Sequence, residues 1–142
     1  MTNNCLVTGG CGFIGSHVVD RLIQLGHSVK VIDDESAQEN EKFYYNDKAR
    51  YYNLDISKDD CSPIFGGTNG KPIDYVFHLA ARSRIQPTIG SPNSCFEVNV
   101  VGTQRVLEWS RFNNVKKVIY SGTSSLYGSQ NPIPFAPNMP PA

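Results

Sequence analysis

Short apolar runs alternate along this chain with segments in which apolar residues recur at helical spacing. The β-like runs are NCLVTG, SVKVID, RYYNLDI, IDYVFHLAA and KKVIYSG, at residues 4–9, 28–33, 50–56, 73–81 and 116–122. Residues 15–25 show the period of an amphipathic helix, and Gly26 is placed to end it. Strands separated by helical stretches predict crossover connections and therefore a parallel sheet with helices on its faces.

Three further segments complete this pattern. A long helix is predicted at residues 91–113, with Ser91 as its N-terminal cap. The polar run at residues 33–48 predicts a solvated loop, with or without a short helix in it. Residues 131–142 hold five prolines and predict an extended tail, because proline fits neither a helix interior nor a central strand. We therefore divide the chain into a domain at 1–130 and this tail.

Four glycines lie between the first strand and the first helix, in the sequence VTGGCGFIGSH. Three of them have the spacing Gly9-x-x-Gly12-x-x-Gly15. A tight turn needs backbone that accepts positive φ, and a phosphate can approach closely only where Cβ atoms are absent. The free N–H groups at the start of a helix also attract anions. This context predicts a dinucleotide pyrophosphate site; a glycine-rich turn without a ligand is the alternative.

An acidic residue follows the second strand at a position suited to a ribose. Asp33 lies 18 residues after Gly15, where a carboxylate can accept hydrogen bonds from the adenosine hydroxyls. Asp34 and Glu35 add negative charge that would repel a 2′-phosphate, and no arginine lies in the glycine turn or directly after the strand. These features predict NAD rather than NADP as the ligand. The alternative for Asp33 is a loop-capping aspartate.

Separated motifs cover nearly the whole chain. They are TGGCGFIGSHVVDRL after the first strand, DI at 55–56, VFHLAA at 76–81, NVVGT at 99–103 and VIYSGTSSLYG at 118–128. In type and order they resemble the N-terminal, NAD-binding part of an extended short-chain dehydrogenase/reductase of the NAD-dependent sugar-nucleotide epimerase/dehydratase family. The resemblance implies an α/β, doubly wound parallel sheet (Rossmann fold) of about five strands in the order 3-2-1-4-5. It also implies NAD as the cofactor and a nucleotide-sugar as a candidate partner.

The same resemblance assigns roles to individual residues. It places Asp55 and Ile56 against the adenine, and Ala80 and Ala81 beside the cofactor phosphates and ribose. Asn99 braces the loop after the fourth strand. The alternatives are strand-end packing for the alanines and a solvent-facing side chain for Asn99. The candidate cofactor-binding residues are Gly9, Gly12, Phe13, Ile14, Gly15, Asp33, Asp34, Asp55, Ile56, Leu79, Ala80, Ala81 and Asn99, and no metal ligand is predicted.

The chemistry of the family requires residues beyond these. There, NAD takes a hydride from a sugar carbon, a Tyr-x-x-x-Lys pair supplies the base, and a Ser or Thr after the fifth strand binds the reacting hydroxyl. Thr123 matches that hydroxyl and is the one catalytic candidate. Tyr127 has no lysine four residues on. Tyr44 does precede Lys48 at that spacing, but it lies between the second and third strands, so the match is interpreted as chance.

The sequence reaches Ala142 without a Tyr-x-x-x-Lys pair in the expected place. We therefore expect NAD binding without turnover by this chain alone. It is interpreted as part of a longer enzyme, truncated before the catalytic helix. The alternative is a non-catalytic dinucleotide-binding module that acts alone or with a partner chain. An uncovered sheet edge favours a homo-oligomer or pairing with a missing C-terminal part.

Composition excludes several other classes of protein. The chain has 13 basic and 13 acidic residues and a net charge of zero, which differs from the basic surface of a nucleic-acid binder. No apolar run has membrane-spanning length and no secretion signal is recognised, so we expect a cytoplasmic protein without membrane contact. The four cysteines match no metal pattern and are expected to be free thiols. For Cys11, in the glycine turn, packing is favoured over a reactive thiol.

Overall fold

The computed structural model describes residues 2–37, 42–67 and 71–141, and these form a five-stranded parallel sheet. The strands are β1 Asn4–Thr8, β2 Ser28–Asp33, β3 Arg50–Asn53, β4 Tyr75–His78 and β5 Lys117–Tyr120. Their order is β3-β2-β1-β4-β5, and each neighbouring pair is parallel. The doubly wound fold and the strand order predicted from the sequence are confirmed.

Five α-helices accompany the sheet in the described part of the chain: α1 Phe13–Gln24, α2 Ser62–Phe65, α3 Ile85–Gly90, α4 Pro92–Phe96 and α5 Thr103–Phe112. As predicted, α1 ends just before Gly26, whose φ of 81° lies in the left-handed region that glycine tolerates. The sequence pattern predicts neither α2 nor α3, because four or six residues are too few to establish a helical period.

The long helix predicted at 91–113 is not uniform. α4 passes into a wide π-helical segment, Glu97–Gly102, before α5 begins. Gly102 lies close against Ile56, where a Cβ would come within 2.9 Å of the Ile56 Cδ1 atom. Ser91 is the N-cap residue of α4, as predicted, but its side chain makes no capping hydrogen bond.

Two hydrophobic clusters cover the two faces of the sheet. Adjacent residues of β1 point to opposite faces, so Leu6 belongs to one cluster and Val7 to the other. Phe65 of α2 and Val106 of α5 pack in the Leu6 cluster, and Val19 of α1 packs in the Val7 cluster. This cover on both faces explains why the central strand β1 has a continuous apolar run at Cys5, Leu6 and Val7.

β3, β4 and β5 end earlier than their apolar runs predict. Residues 54–56, 79–81 and 121–122 leave the sheet and form loops at its carboxyl edge. The residues described between β2 and β3, 34–37 and 42–49, contain no helix, and residues 38–41 of the predicted polar run lie outside the described residues. The carboxyl edge of the sheet is therefore surrounded by loops.

The tail described at residues 131–141 contains neither helix nor strand. The Phe135 ring of the tail stacks on the Tyr127 ring, with ring centroids 5.1 Å apart. This contact anchors the tail to the preceding domain. The boundary between residues 130 and 131 stays a prediction. Within the described ranges, none of the helices is both long and apolar enough to cross a bilayer.

Close backbone contacts shape the turn between β1 and α1. Gly9 has a φ of 72°, and a Cβ there would lie 2.7 Å from the backbone nitrogen of Ala80. A Cβ on Gly15 would overlap the carbonyl oxygen of Gly9. A Cβ on Gly12, in contrast, would meet only that oxygen, at an ordinary 3.5 Å. Gly9 and Gly15 are therefore required by packing, whereas Gly12 leaves open space in front of the helix.

We expect Gly15→Ala to lower the free energy of unfolding by about 2 kcal/mol, because the methyl group would overlap backbone. In an unconstrained helix the same change raises stability by up to about 1 kcal/mol, so the sign of the effect is diagnostic. Urea unfolding followed by circular dichroism measures it. Gly12→Ala is the matched control and should stay within about 0.5 kcal/mol of wild type. A neutral Gly15→Ala would contradict the packing interpretation.

Candidate functional site

A cavity of about 740 Å³ opens at the carboxyl edge of the sheet, between the loops that follow β1 and β4. The chain crosses to opposite sides after these two strands, which is where doubly wound sheets bind ligands. All of the candidate residues predicted from the sequence line this cavity: Gly9, Gly12, Phe13, Ile14, Gly15, Asp33, Asp34, Asp55, Ile56, Leu79, Ala80, Ala81, Asn99 and Thr123. The fold brings them together, while the role of each in binding stays a prediction.

The N-terminus of α1 faces this cavity with bare backbone. Gly12, the residue before the helix, is extended, with φ −75° and ψ 174°, and no side chain among the described residues caps the helix. The first N–H groups of a helix have no intrahelical acceptor, and the helix dipole adds positive charge there. The side chains of Phe13 and Ile14 are exposed but apolar. The polar groups that these two residues can offer a ligand are therefore their backbone N–H groups. The arrangement suits a pyrophosphate.

Asp33 ends β2 beside the glycine turn, and both of its carboxylate oxygens are held. Oδ2 accepts the backbone N–H of Cys11 at 2.9 Å, and Oδ1 accepts that of Glu35 at 2.8 Å. Burial raises the pKa of Asp33, and these two hydrogen bonds oppose the increase. A carboxylate oxygen has two lone pairs, so each can accept one more hydrogen bond. A fixed carboxylate at this place can bind ribose hydroxyls.

Asp34 faces a different set of partners. Its Oδ1 accepts the N–H of Ser36 at 3.1 Å and the Ser36 hydroxyl at 2.5 Å. Its Oδ2 lies 3.8 Å from the guanidinium of Arg82, which also donates to the Ser36 carbonyl at 3.2 Å. Asp34 therefore interacts with its own loop and with a cation from the loop after β4.

Sequence reasoning missed Arg82, which lies far along the chain from β2. The predicted strand order contained the signal that could have found it. β1 is flanked by β2 and β4, so the loops after β2 and β4 both border the glycine turn. A charged residue directly after VFHLAA is therefore placed to face the acidic residues after β2.

Asp55 and Ile56 lie in the cavity wall after β3, but their side chains are already engaged. The Asp55 carboxylate accepts the N–H and the hydroxyl of Ser57, at 2.8 and 2.6 Å, and pairs with Lys58 at 3.0 Å. Burial alone raises the pKa of Asp55, but these bonds lower it overall. Ile56 is buried against the π-helical segment. The Asp55 carboxylate thus serves its own loop.

A chain of hydrogen bonds runs beneath the cavity. The N–H of Ala80 donates to the Thr8 hydroxyl at 3.3 Å, which lies 2.6 Å from His78 Nδ1. His78 Nε2 lies 2.9 Å from the Thr103 hydroxyl, which donates its proton to the Asn99 carbonyl at 2.8 Å. Since the Thr103 proton is used, Nε2 must carry the imidazole proton and Nδ1 must accept from Thr8. Burial lowers the pKa of His78 to about 4, so this imidazole is neutral at pH 7.

Asn99 makes the bracing contact that the resemblance implies. Its Oδ1 accepts the backbone N–H of Arg82 at 2.7 Å, and its Nδ2 donates to the Arg82 carbonyl at 3.0 Å. This pair of bonds holds the loop after β4 against the helix. The small side chains of Ala80 and Ala81 precede the braced residue and leave room along the cavity wall.

Thr123 follows β5 at another end of the cavity and caps a 3₁₀ turn at Ser124–Tyr127. Its hydroxyl accepts the N–H of Ser125 at 3.2 Å and lies 3.2 Å from the Ser125 hydroxyl. Tyr120 also lines the cavity, but no lysine does among the residues that the structure describes. Thr123 can therefore orient a hydroxyl without a basic neighbour at hand.

The two tyrosines rejected from the sequence do lie elsewhere. Tyr127 stacks on Phe135 and does not line the cavity. Tyr44 lines a separate, smaller cavity next to α1. Neither shares the wall that holds Thr123.

The cysteines are free thiols, and three of the four are buried. Burial, together with the charges of Asp33 and Glu35, raises the pKa of Cys11 to about 12. A thiol protonated to that extent is a poor nucleophile, which favours the packing interpretation. In the ranges the structure covers, no group of His, Cys, Asp and Glu side chains is arranged to hold a metal ion.

A parallel sheet of this order, with a glycine turn at a helix N-terminus and an acidic residue after β2, defines a Rossmann-type α/β protein. The sequence model of the NAD dependent epimerase/dehydratase family matches residues 5–141 of this chain. The chain therefore belongs to the NAD-dependent epimerase/dehydratase family.

Known relatives extend this assignment. The chain is 37% identical over 139 residues to the UDP-glucose 4-epimerase of Mycolicibacterium smegmatis, covering 95% of this chain and 44% of that protein. It is 33% identical over 144 residues to the UDP-N-acetyl-alpha-D-glucosaminuronate decarboxylase of Bacillus cytotoxicus, covering 96% and 41%. The crystal structure of Thermus thermophilus UDP-glucose 4-epimerase in complex with NAD matches with a TM-score of 0.80 at 28% identity, covering 98% and 44%. The chain spans less than half the length of these relatives.

The buried His78 predicts a loss of stability in acid. Its pKa is about 4 in the folded protein and 6.5 in its ordinary state, so the unfolded chain binds the proton first as the pH falls. The stability from the neutral imidazole is complete above pH 6.5 and is lost as the pH falls towards 4. Between about pH 7.5 and about pH 4.5 we expect this residue to account for a loss of about 2 to 3 kcal/mol.

Urea unfolding of wild type and His78→Gln at the two pH values measures the effect. The wild type should lose that much more free energy of unfolding than the variant, whatever the variant's stability near neutral pH. His17→Gln, which removes an exposed histidine, should keep the wild-type pH dependence. Equal pH dependence of wild type and His78→Gln would show that the imidazole is not held neutral.

Proposed function

We propose that this chain is the NAD-binding portion of a nucleotide-sugar epimerase or dehydratase. The observation that carries the proposal is the pairing of the bare turn at Gly12 with Asp33, whose carboxylate is held beside that turn by the N–H of Cys11. The family description, NAD dependent, supports it. So does the Thermus thermophilus relative solved with NAD.

The cavity offers a separate region for each part of the dinucleotide. Gly12 and the first turn of α1 would hold the pyrophosphate, and Asp33 would hold the adenosine ribose. The loop of Asp55 and Ile56 would hold the adenine, and Thr123 would lie at the nicotinamide end. NAD, when bound, supplies a hydride acceptor. The residues of this chain would bind and orient it.

We propose a nucleotide-sugar as the substrate class, because the named relatives are UDP-sugar enzymes. Thr123 binds the reacting hydroxyl, but a threonine does not accept a proton near neutral pH without a base beside it. No lysine among the described residues lines that cavity. The proposal therefore assigns proton transfer to a Tyr-x-x-x-Lys pair supplied by another segment.

A non-catalytic dinucleotide-binding module, acting alone or with a partner chain, is the second candidate. The lack of a lysine along the described cavity wall favours it as well. The two candidates differ in whether activity is gained when a segment carrying Tyr-x-x-x-Lys is supplied.

We also propose an assembly and a cellular location for the protein. β5 is an edge strand, and its Ile119 and Tyr120 are 39% and 60% exposed. Exposed apolar side chains on an open edge favour pairing with a second copy or with a further part of the protein. Free thiols are typical of a reducing compartment, and we propose the cytoplasm.

Titration calorimetry with NAD and NADP tests the cofactor. We expect NAD to bind about tenfold more tightly, equivalent to about 1.4 kcal/mol, because the Asp33 carboxylate repels a 2′-phosphate. Gly12→Val should abolish binding of both dinucleotides and leave the circular dichroism spectrum unchanged, since its side chain projects into open space. Equal or tighter binding of NADP would contradict the interpretation of Asp33, and unchanged binding by Gly12→Val would remove the turn from the site.

Incubation with NAD and a panel of UDP-, GDP- and dTDP-sugars tests catalysis. We expect no turnover by residues 1–142 alone, because the described cavity contains no base beside Thr123. Turnover after a C-terminal segment with Tyr-x-x-x-Lys is added would support the enzyme, and Thr123→Ala should then reduce it. Turnover by the chain alone that survives Thr123→Ala would contradict both the role of Thr123 and the absence of a base.

A further inference from the structure

Arg82 lines the cavity, and its guanidinium contacts the loop after β2. The Arg82 backbone is fixed on both sides by Asn99, so the side chain extends from a rigid point. Its Nη1 donates to the Ser36 carbonyl at 3.2 Å, and its Nη2 lies 3.8 Å from Asp34 Oδ2. The side chains of Arg82 and Asp34 are 34% and 30% exposed, so both are within reach of a ligand. A cation thus lies on the same side of the cavity as the ribose-binding candidate Asp33.

Asp33 at the end of β2 and Asp34 directly after it have different contacts. Asp33 is tied to the glycine turn through the N–H of Cys11, and this position is suited to a ribose. Asp34 is tied on Oδ1 to Ser36, and its second oxygen is directed at Arg82. Only Asp34 therefore competes with an incoming anion for the guanidinium.

A guanidinium matches the oxygens of a phosphate through paired N–H donors and does not lose its charge. At 3.8 Å the contact with Asp34 is loose and partly exposed, and such a pair contributes little stability. A 2′-phosphate on the adenosine ribose would carry more charge than a carboxylate and could replace it. Asp33 would repel that phosphate, whereas Arg82 would attract it.

We propose that Arg82 and Asp34 set the preference between NAD and NADP, with Arg82 as a ligand for a 2′-phosphate that Asp34 holds back. The inference rests on the proposed function, because it requires the adenosine ribose to lie at Asp33. It adds a second determinant, from the loop after β4, to the acidic residues after β2.

Titration calorimetry of NAD and NADP against wild type, Asp34→Asn, Arg82→Ala and the double variant tests the proposal. Asp34→Asn keeps the Oδ1 acceptor for Ser36 and removes the charge. It should raise NADP affinity about fivefold, the size expected for a partly exposed ion pair, and change NAD affinity less than about twofold. In the Arg82→Ala background the gain in NADP affinity should be smaller, because only the repulsion between the Asp34 charge and the phosphate is then removed.

Arg84 provides the matched control. It lines the same cavity and carries the same charge, but no hydrogen bond or ion pair joins its side chain to residues 34–36 in the described structure. Asp34→Asn should therefore still raise NADP affinity about fivefold in an Arg84→Ala background. An equal gain with and without Arg82, or no gain from Asp34→Asn, would overturn this inference alone. Failure of wild type to bind either dinucleotide would overturn the proposed function together with it.

Discussion

The end of β1, the start of α1 and the end of β4 lie so close together that the turn between β1 and α1 has no room for a Cβ atom at Gly9 or Gly15. The absence of a Cβ at Gly9 lets the turn lie against Ala80, and its absence at Gly15 lets α1 begin against the Gly9 carbonyl. These contacts decide where the helix N-terminus points and how closely it approaches the loop after β4. The cavity and the position of Asp33 both depend on them, because Asp33 is held by the N–H of a residue in the same turn.

A buried polar path connects that turn to the opposite wall of the cavity. Thr8 is the last residue of β1 and directly precedes Gly9. Its hydroxyl is hydrogen-bonded to His78, and His78 is hydrogen-bonded to Thr103. Thr103 in turn donates to Asn99, whose side chain holds Arg82. Every side chain in the path has its partners, so the path adds rigidity without leaving a buried polar group unpaired. Both walls are therefore fixed relative to one strand before any ligand arrives, which reduces the entropy lost on binding.

The fold was predictable because its signals are local and repeated: apolar strands, helical spacing at 15–25 and glycines between them. Of the candidate residues at the cavity, the glycines and Asp33 were predicted from local spacing, whereas those after β3, β4 and β5 were predicted from the resemblance to the family. Arg82 was not predictable from spacing, because its partner Asp34 is close only through the topology. α2 and α3 are too short to show a helical period of apolar residues. The π-helical segment before α5 packs against Ile56 through Gly102. Tertiary contact, which local patterns do not contain, explains each of these differences.

The π-helical segment Glu97–Gly102 also changes the direction in which the side chains of the following helix, α5, point. The buried residues of this segment and of α5 are spaced four apart, at Val98, Gly102, Val106 and Ser110. In a uniform α-helix such a row advances about 40° at each step and winds off the contact face. A π-helical segment rotates less per residue and cancels part of that advance. One row of small and apolar side chains therefore stays buried from the π-helical segment to the end of α5.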